Sequence, residues 1–221
     1  MDEFWGEVTS KILDIRTLKN GPHVIVGIDG VDGAGKTTFA GKLLEALNLR
    51  LDSKLTQLVS IDDFHNVREI RHRQGTESPK GFFEDSFDYD SLKVRVLIPI
   101  RDSNGASVSI IPGCHDLNTD LLTTPEALHL EPSSLVIVEG IFLHRDEIRD
   151  FFDFTLFLDV PFSESVRRMS NRDGSNSDPN HPSMYRYVEG QRIYFEKCAP
   201  QSRASVLIDN SDNESPRVGK I

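Results

Sequence analysis

Cysteine is scarce, at 2 in 221 residues, and tryptophan scarcer still, at 1. Cys114 and Cys198 lie far apart and carry no metal-ligand spacing, so the sequence predicts two free thiols rather than a disulfide framework or a zinc site. Long apolar runs are also missing. None approaches the roughly 20 residues that cross a bilayer, and Met1–Ser10 lacks the basic-then-apolar pattern of a secretion signal. The expectation is a cytoplasmic protein with no membrane partner. Positive charge is in deficit: 25 Lys and Arg stand against 35 Asp and Glu, a formal net charge of −10. That balance argues against nucleic acid as a partner, while leaving room for a local basic pocket. Internal repeats and low-complexity tracts are absent.

What is present reads as one α/β domain over residues 1–221. Phe4, Val8, Ile12 and Ile15 recur at helical spacing, which predicts an amphipathic helix over 3–18, stopped by Asn20-Gly21-Pro22. Apolar runs at Val24–Ile28, Leu55–Ile61, Leu135–Val138, Thr155–Val160 and Val206–Ile208 lack polar alternation, as strands buried on both faces do. Helical patterns fall between them, near Lys36–Leu47, Tyr89–Leu97, Ser163–Arg172 and Ser183–Lys197. The alternation predicts a three-layer α/β/α fold around a mostly parallel sheet. Three stretches break the rhythm and read as loops or inserts: Asn66–Glu84, Ser107–Thr124 and Asp173–Pro182.

The most specific signal follows the first strand. Gly30-Val31-Asp32-Gly33-Ala34-Gly35-Lys36-Thr37 satisfies G-x-x-x-x-G-K-[ST] without a mismatch. Glycines let the backbone curl until successive N–H groups converge on phosphate oxygens, and the next helix adds its positive end. The predicted ATP-binding stretch runs Gly30, Asp32, Gly33, Ala34, Gly35, Lys36, Thr37, Thr38. Lys36 supplies a point charge for the β- and γ-phosphates, and the Thr37 hydroxyl is a ligand for Mg²⁺.

Other segments say what acts on the triphosphate. "SIDDFH" ends the second strand with Asp62, an acid placed to take a proton from a substrate hydroxyl. "VIVEG" ends the next strand with Glu139, a second acid suited to Mg²⁺ or its waters. Arg168 and Arg172 lie four apart, on one face of a helix, where two guanidinium groups can clamp a polyphosphate. The glycine- and serine-rich loop after them suits a lid, over about 163–187, that closes and excludes water.

Taken in order, the Gly30–Thr37 loop, "SIDDFH", "DSFDYDSL", "VEGIF" and "RRMSNRD" resemble the uridine kinase branch of the P-loop kinases, relatives of phosphoribulokinase and pantothenate kinase. The likeness runs from about Val24 to Asn210. It implies a small-molecule kinase using ATP and Mg²⁺, with Asp62 on the catalytic aspartate and His65 on a substrate-contacting tyrosine. It also implies that Asp85, in Asp85-Ser86-Phe87-Asp88, lies at the acceptor, and that Arg168 and Arg172 are lid arginines. His115-Asp116-Leu117 stands where the family reads its base, and Tyr185-Arg186-Tyr187 fall near the acceptor or the ATP. Members of this type are often homo-oligomers. Ahead of Asp85 the chain reads Gly81-Phe82-Phe83-Glu84, where uridine kinases hold ribose hydroxyls with an aspartate. The acceptor therefore stays open among a nucleoside, nicotinamide riboside, a sugar, a phosphosugar, pantothenate and thymidylate.

Two other classes use such a loop. A GTPase needs Asn-Lys-x-Asp, and the nearest run, Asp209-Asn210-Ser211-Asp212, lacks the lysine. A non-catalytic nucleotide-binding regulator needs neither Asp62 nor the lid arginines.

Overall fold

The structure, a computed structural model, describes residues 3–219. Its centre is a six-stranded sheet in the order Arg217–Val218, Val206–Asp209, Phe154–Asp159, Val24–Gly30, Leu135–Glu139, Thr56–Ser60. Five strands run parallel, and Arg217–Val218 pairs antiparallel at the edge. All five predicted strands are present, each within two residues of the expected ends.

The two central strands are buried along their whole length. Because side chains alternate across a pleated sheet, Val24, Val26, Ile28, Leu135 and Ile137 serve one core while Ile25, Val136 and Val138 serve the other. Helices Glu3–Lys19 and Lys36–Asn48 cover the first face with Val8, Ile12, Phe39, Leu43 and Leu47. On the opposite face lie Phe82, Phe83, Leu92, Leu97, Phe142 and Tyr194. This is the three-layer α/β/α arrangement expected. Among the described residues no helix is long and apolar enough to cross a membrane.

The polar stretch 66–84, expected to be a loop, contains two helical segments, Arg68–Arg71 and Pro79–Asp85. Ser78 caps the second, its hydroxyl accepting from Gly81 N at 3.0 Å, and Pro79 sits in the first turn, where a missing N–H does no harm. What stabilises so short a helix is tertiary packing. Its Phe82 and Phe83 are buried against helix Tyr185–Cys198. Gly190 permits the approach, since a Cβ there would stand 2.7 Å from Phe82 Cδ1 and 2.9 Å from Pro79 O.

The pattern Tyr89–Leu97 is also more broken than its periodicity suggests. An α-turn, Tyr89–Leu92, widens into a π-turn, Lys93–Leu97, before Ile98–Asp102. Pro99 explains the change: it cannot donate to the carbonyl four residues back, and Arg95 O accepts from Ile111 N at 3.1 Å instead. The 107–124 insert contributes strand Val108–Ile110, paired with Leu128–Leu130, and the hairpin His115–Asp116 with Leu121–Leu122.

Candidate active site

The first strand delivers the phosphate loop, and two glycines shape it. Gly33 and Gly35 take positive φ of 69° and 87°, in the left-handed region where a side chain is strained. Around the turn the loop carbonyls are tied down. Val31 O accepts from Lys36 Nζ at 2.8 Å, Asp32 O from Ser165 Oγ at 2.6 Å and Ala34 O from Asn210 Nδ2 at 2.7 Å. Gln191 Oε1 accepts from Asp32 N at 2.6 Å. A loop whose carbonyls are occupied in this way is pre-organised to offer its remaining amides to an anion.

Beneath it lies a buried network. Asp29, fully buried before Gly30, accepts from Gly30 N at 2.7 Å and contacts His144 Nδ1 at 2.7 Å. It also takes a short hydrogen bond from the Tyr194 hydroxyl. That hydroxyl accepts from His144 N at 2.9 Å, and burial raises the Tyr194 pKa well above its ordinary range. Sequence reasoning passed over this network. Its one signal was an acid at the end of an otherwise apolar strand.

Parallel register brings the acids to the same end of the sheet. Glu139 pairs with Ile28 on one side and Ser60 on the other, so it emerges beside the phosphate loop. Its Oε1 accepts from Ser60 Oγ at 2.8 Å and Thr37 Oγ1 at 3.2 Å. Burial raises its pKa, opposed by the Ser60 hydrogen bond and the charge of Lys36. Asp62 lies in the turn Ile61–Phe64 that follows Ser60 and is exposed to the cavity. His65 Nδ1 lies 2.8 Å from Asp62 O, and a carbonyl can only accept, so Nδ1 carries the proton. Burial also lowers the His65 pKa.

One cavity of about 550 Å³ gathers these groups. Lys36, Thr37, Thr38, Asp62, His65 and Glu139 line it, with Asp32, Gly33 and Gly35. Arg168, Arg172 and Arg186 reach it too, but in different roles. Arg168 is tied down: Nη2 donates to Asn210 O and Ser211 O, each at 2.8 Å, Nη1 to Ala34 O at 3.3 Å and Nε to Glu164 at 2.7 Å. It braces the helix Phe162–Asp173 against the phosphate loop. Arg172, on the same face, is paired among the described residues only to Asp173 and is 62% exposed, within electrostatic reach of Asp32 and Asp62. Arg186 is buried, and its guanidinium donates to the carbonyls of Arg71, Gly75, Thr76 and Ser78 at 3.0 to 3.3 Å.

Three expected acceptor residues lie off this cavity wall. Asp85 is buried and held by Arg73 and by Gln74 Nε2 at 2.7 Å, so its carboxylate is spent on ordering the 71–85 segment. His115 is buried, with Nε2 3.1 Å from Asp120 Oδ1, and lines a neighbouring cavity of about 450 Å³. Tyr185 is 56% exposed at the helix start, and Tyr187 takes the place at the cavity. Among the cavity residues that were not expected are two basic ones, Arg71 and His72. Their only sequence signal was the basic run "REIRHR", which reads equally well as a solvated helix face.

A phosphate loop backed by a parallel sheet, with acids at the ends of neighbouring strands and an arginine-bearing helix beside the loop, defines a P-loop kinase. The sequence pattern of the phosphoribulokinase / uridine kinase family matches residues 25–178, and the chain belongs to that family. It is 22% identical over 201 residues to uridine kinase of Saccharomyces cerevisiae, covering 86% of this chain and 37% of that one. To phosphoribulokinase of Synechocystis sp. it is 26% identical over 212 residues, covering 88% and 58%. The chain thus spans well under two thirds of either relative. A solved structure of a possible uridine kinase from Bacillus stearothermophilus superposes with a TM-score of 0.63 at 25% identity, covering 91% of this chain and 98% of that one.

Proposed function

We propose that this protein is an ATP-dependent kinase that transfers the γ-phosphoryl group to a hydroxyl of a nucleoside or similar small acceptor. The observation that carries the reading is a single cavity lined by Lys36, Thr37, Glu139 and Asp62. Lys36 and the loop amides bind the β- and γ-phosphates. The Thr37 hydroxyl and Glu139 carboxylate are hard oxygen donors, 3.2 Å apart, of the kind Mg²⁺ takes alongside phosphates and water. When bound, Mg²⁺ would neutralise charge on the transferring phosphate. Asp62 orients the acceptor hydroxyl and receives its proton. Arg172, with no backbone tether among the described residues, meets the charge that builds on the equatorial oxygens, while Arg168 holds the lid helix in register. Two buried free thiols, Cys114 and Cys198, suit a reducing cytoplasm.

A non-catalytic regulator needs no open carboxylate at Asp62 and no untethered Arg172. The test is ADP release with Mg²⁺-ATP across nucleosides, sugars, phosphosugars and pantothenate, with Asp62→Asn as the comparison. Loss of a general base lowers turnover by about 10²–10⁴-fold, with affinity for a non-hydrolysable ATP analogue nearly unchanged. If ATP binding fell in parallel, the assignment of Asp62 as base would be wrong.

A further inference from the structure

The cavity has two ends of different chemistry. Its acids are Asp32, Asp62 and Glu139. Asp32 belongs to the phosphate loop, and Glu139 is engaged by Thr37 and Ser60. Asp62 is therefore the one carboxylate among these left to the acceptor.

Beyond Asp62 the wall turns basic. His65, bonded to the Asp62 carbonyl, lies in the field of Arg71, and Arg71 and His72 follow on the cavity surface. The Arg71 side chain is 16% exposed. Its Nη2 reaches Asp120 Oδ1 at 3.3 Å, and its Nε is buried with no partner among the described residues. Asp120 is a poor neutraliser, because it also accepts from Arg68 N at 2.9 Å and meets His115 Nε2 at 3.1 Å. Asp85, a further acid of this segment, is taken by Arg73 and Gln74. The His72 imidazole has no hydrogen-bond partner among the described residues. Burial, then the charges of Arg186, Arg71 and Arg68, lower its pKa. The segment is not a floppy basic loop, since Arg186 pins four of its carbonyls from the neighbouring helix.

A neutral acceptor closing this end would strip water from Arg71 and leave its charge to be balanced by the shared Asp120 carboxylate, an unfavourable arrangement in a desolvated site. An anion reverses the sign of that contribution, and a planar guanidinium suits two oxygens at once. We propose that the acceptor carries an anionic oxygen group, a phosphate monoester or a carboxylate, received by Arg71 and His72 while Asp62 addresses its hydroxyl. The inference rests on the kinase reading and narrows its substrate class.

The test uses the full chain with Mg²⁺ and a non-hydrolysable ATP analogue bound, so that the phosphate loop is filled before an acceptor is offered. Ribose against ribose 5-phosphate, and glycerol against glycerate, are compared by calorimetry. Hydrogen bonds to charged groups imply that at least one anion binds about 10–100-fold more tightly than its neutral counterpart. That preference should shrink to near unity in Arg71→Gln and fall in part in His72→Ala. Preference for ribose 5-phosphate assigns a phosphate, and preference for glycerate a carboxylate. Equal or tighter binding of the neutral members, no binding of either anion, or a preference untouched in both variants overturns the proposal and leaves the kinase reading standing. Failure of the ATP analogue to bind would remove both.

Discussion

Thr37 and Glu139 lie 102 positions apart in the chain, yet their side-chain oxygens meet at 3.2 Å on the cavity floor. The contact joins the start of the phosphate-loop helix to the end of a neighbouring strand. It arises because Leu135–Glu139 lies directly beside Val24–Gly30 in parallel register. Both strands end on one edge, and the groups that follow them share a site.

Glu139 links this geometry to pH. Its folded pKa is raised above the ordinary 4.5, so the folded chain holds the proton over a range where the unfolded chain has released it. Stability should therefore fall as pH rises from about 4.5 through the raised value, then level off. Glu139→Gln keeps acceptors for Ser60 and Thr37 without the buried charge. In metal-free buffer at pH 7–8 it should melt at a higher temperature than wild type. Mg²⁺ with ATP should stabilise wild type more than the variant, and turnover should fall in the variant. A variant that melts lower in metal-free buffer would contradict this account.

Lys36→Met tests the phosphate loop. The ammonium is nearly buried and, in the unliganded loop, folds onto Val31 O. Methionine is one atom shorter and close in shape without the charge, so the melting temperature should move little. Removing a preorganised transition-state charge contact lowers turnover by about 10²–10³-fold. A steady-state assay beside a thermal melt separates the two effects. A collapsed melt would show that Lys36 mainly supports the fold.

Asp29→Asn addresses the buried network. The carboxylate accepts from Gly30 N and from the Tyr194 hydroxyl, and it contacts His144. An amide can turn its one oxygen either to Gly30 N or to Tyr194 and His144, so one side loses its acceptor, which costs about 1–3 kcal/mol. Urea unfolding should show a lower midpoint at unchanged slope. Because Gly30 opens the phosphate loop, the ATP analogue should also bind more weakly.

Gly190→Ala probes the helix packing behind the acceptor wall. The added methyl would meet Phe82 Cδ1 at 2.7 Å and Pro79 O at 2.9 Å, and the latter is backbone that cannot rotate away. Overpacking of this kind costs about 1–3 kcal/mol. The acceptor KM should rise more than the ATP KM, since helix Pro79–Asp85 carries Phe82 at the acceptor side. An unchanged melt together with unchanged KM values would show that the helices separate freely.

Much of this protein is decided locally, and that part is legible in the chain. Apolar runs such as "VIVGI" and "LVIVE" can only be satisfied inside a covered parallel sheet. The phosphate loop is equally local: its glycines, Lys36 and Thr37 are consecutive, and the strand and helix that flank it are written on either side. Asp62 and Glu139 are legible because each ends an apolar strand, and parallel strands present such ends together. The acceptor end is different. Asp85, His115 and Tyr185 have types suited to a ligand, but Arg73, Asp120 and solvent compete for them, and the competition is settled by contacts between distant segments. Arg168 and Arg172 share a helix face, yet one is bound to the Asn210–Ser211 backbone and the other is not. Arg71 and His72 became wall residues only because Arg186 pins their loop and Gly190 lets two helices close. Charge and hydrogen-bonding capacity belong to the residue, but whether they are spent or left for a ligand depends on which partner the fold brings within about 3 Å.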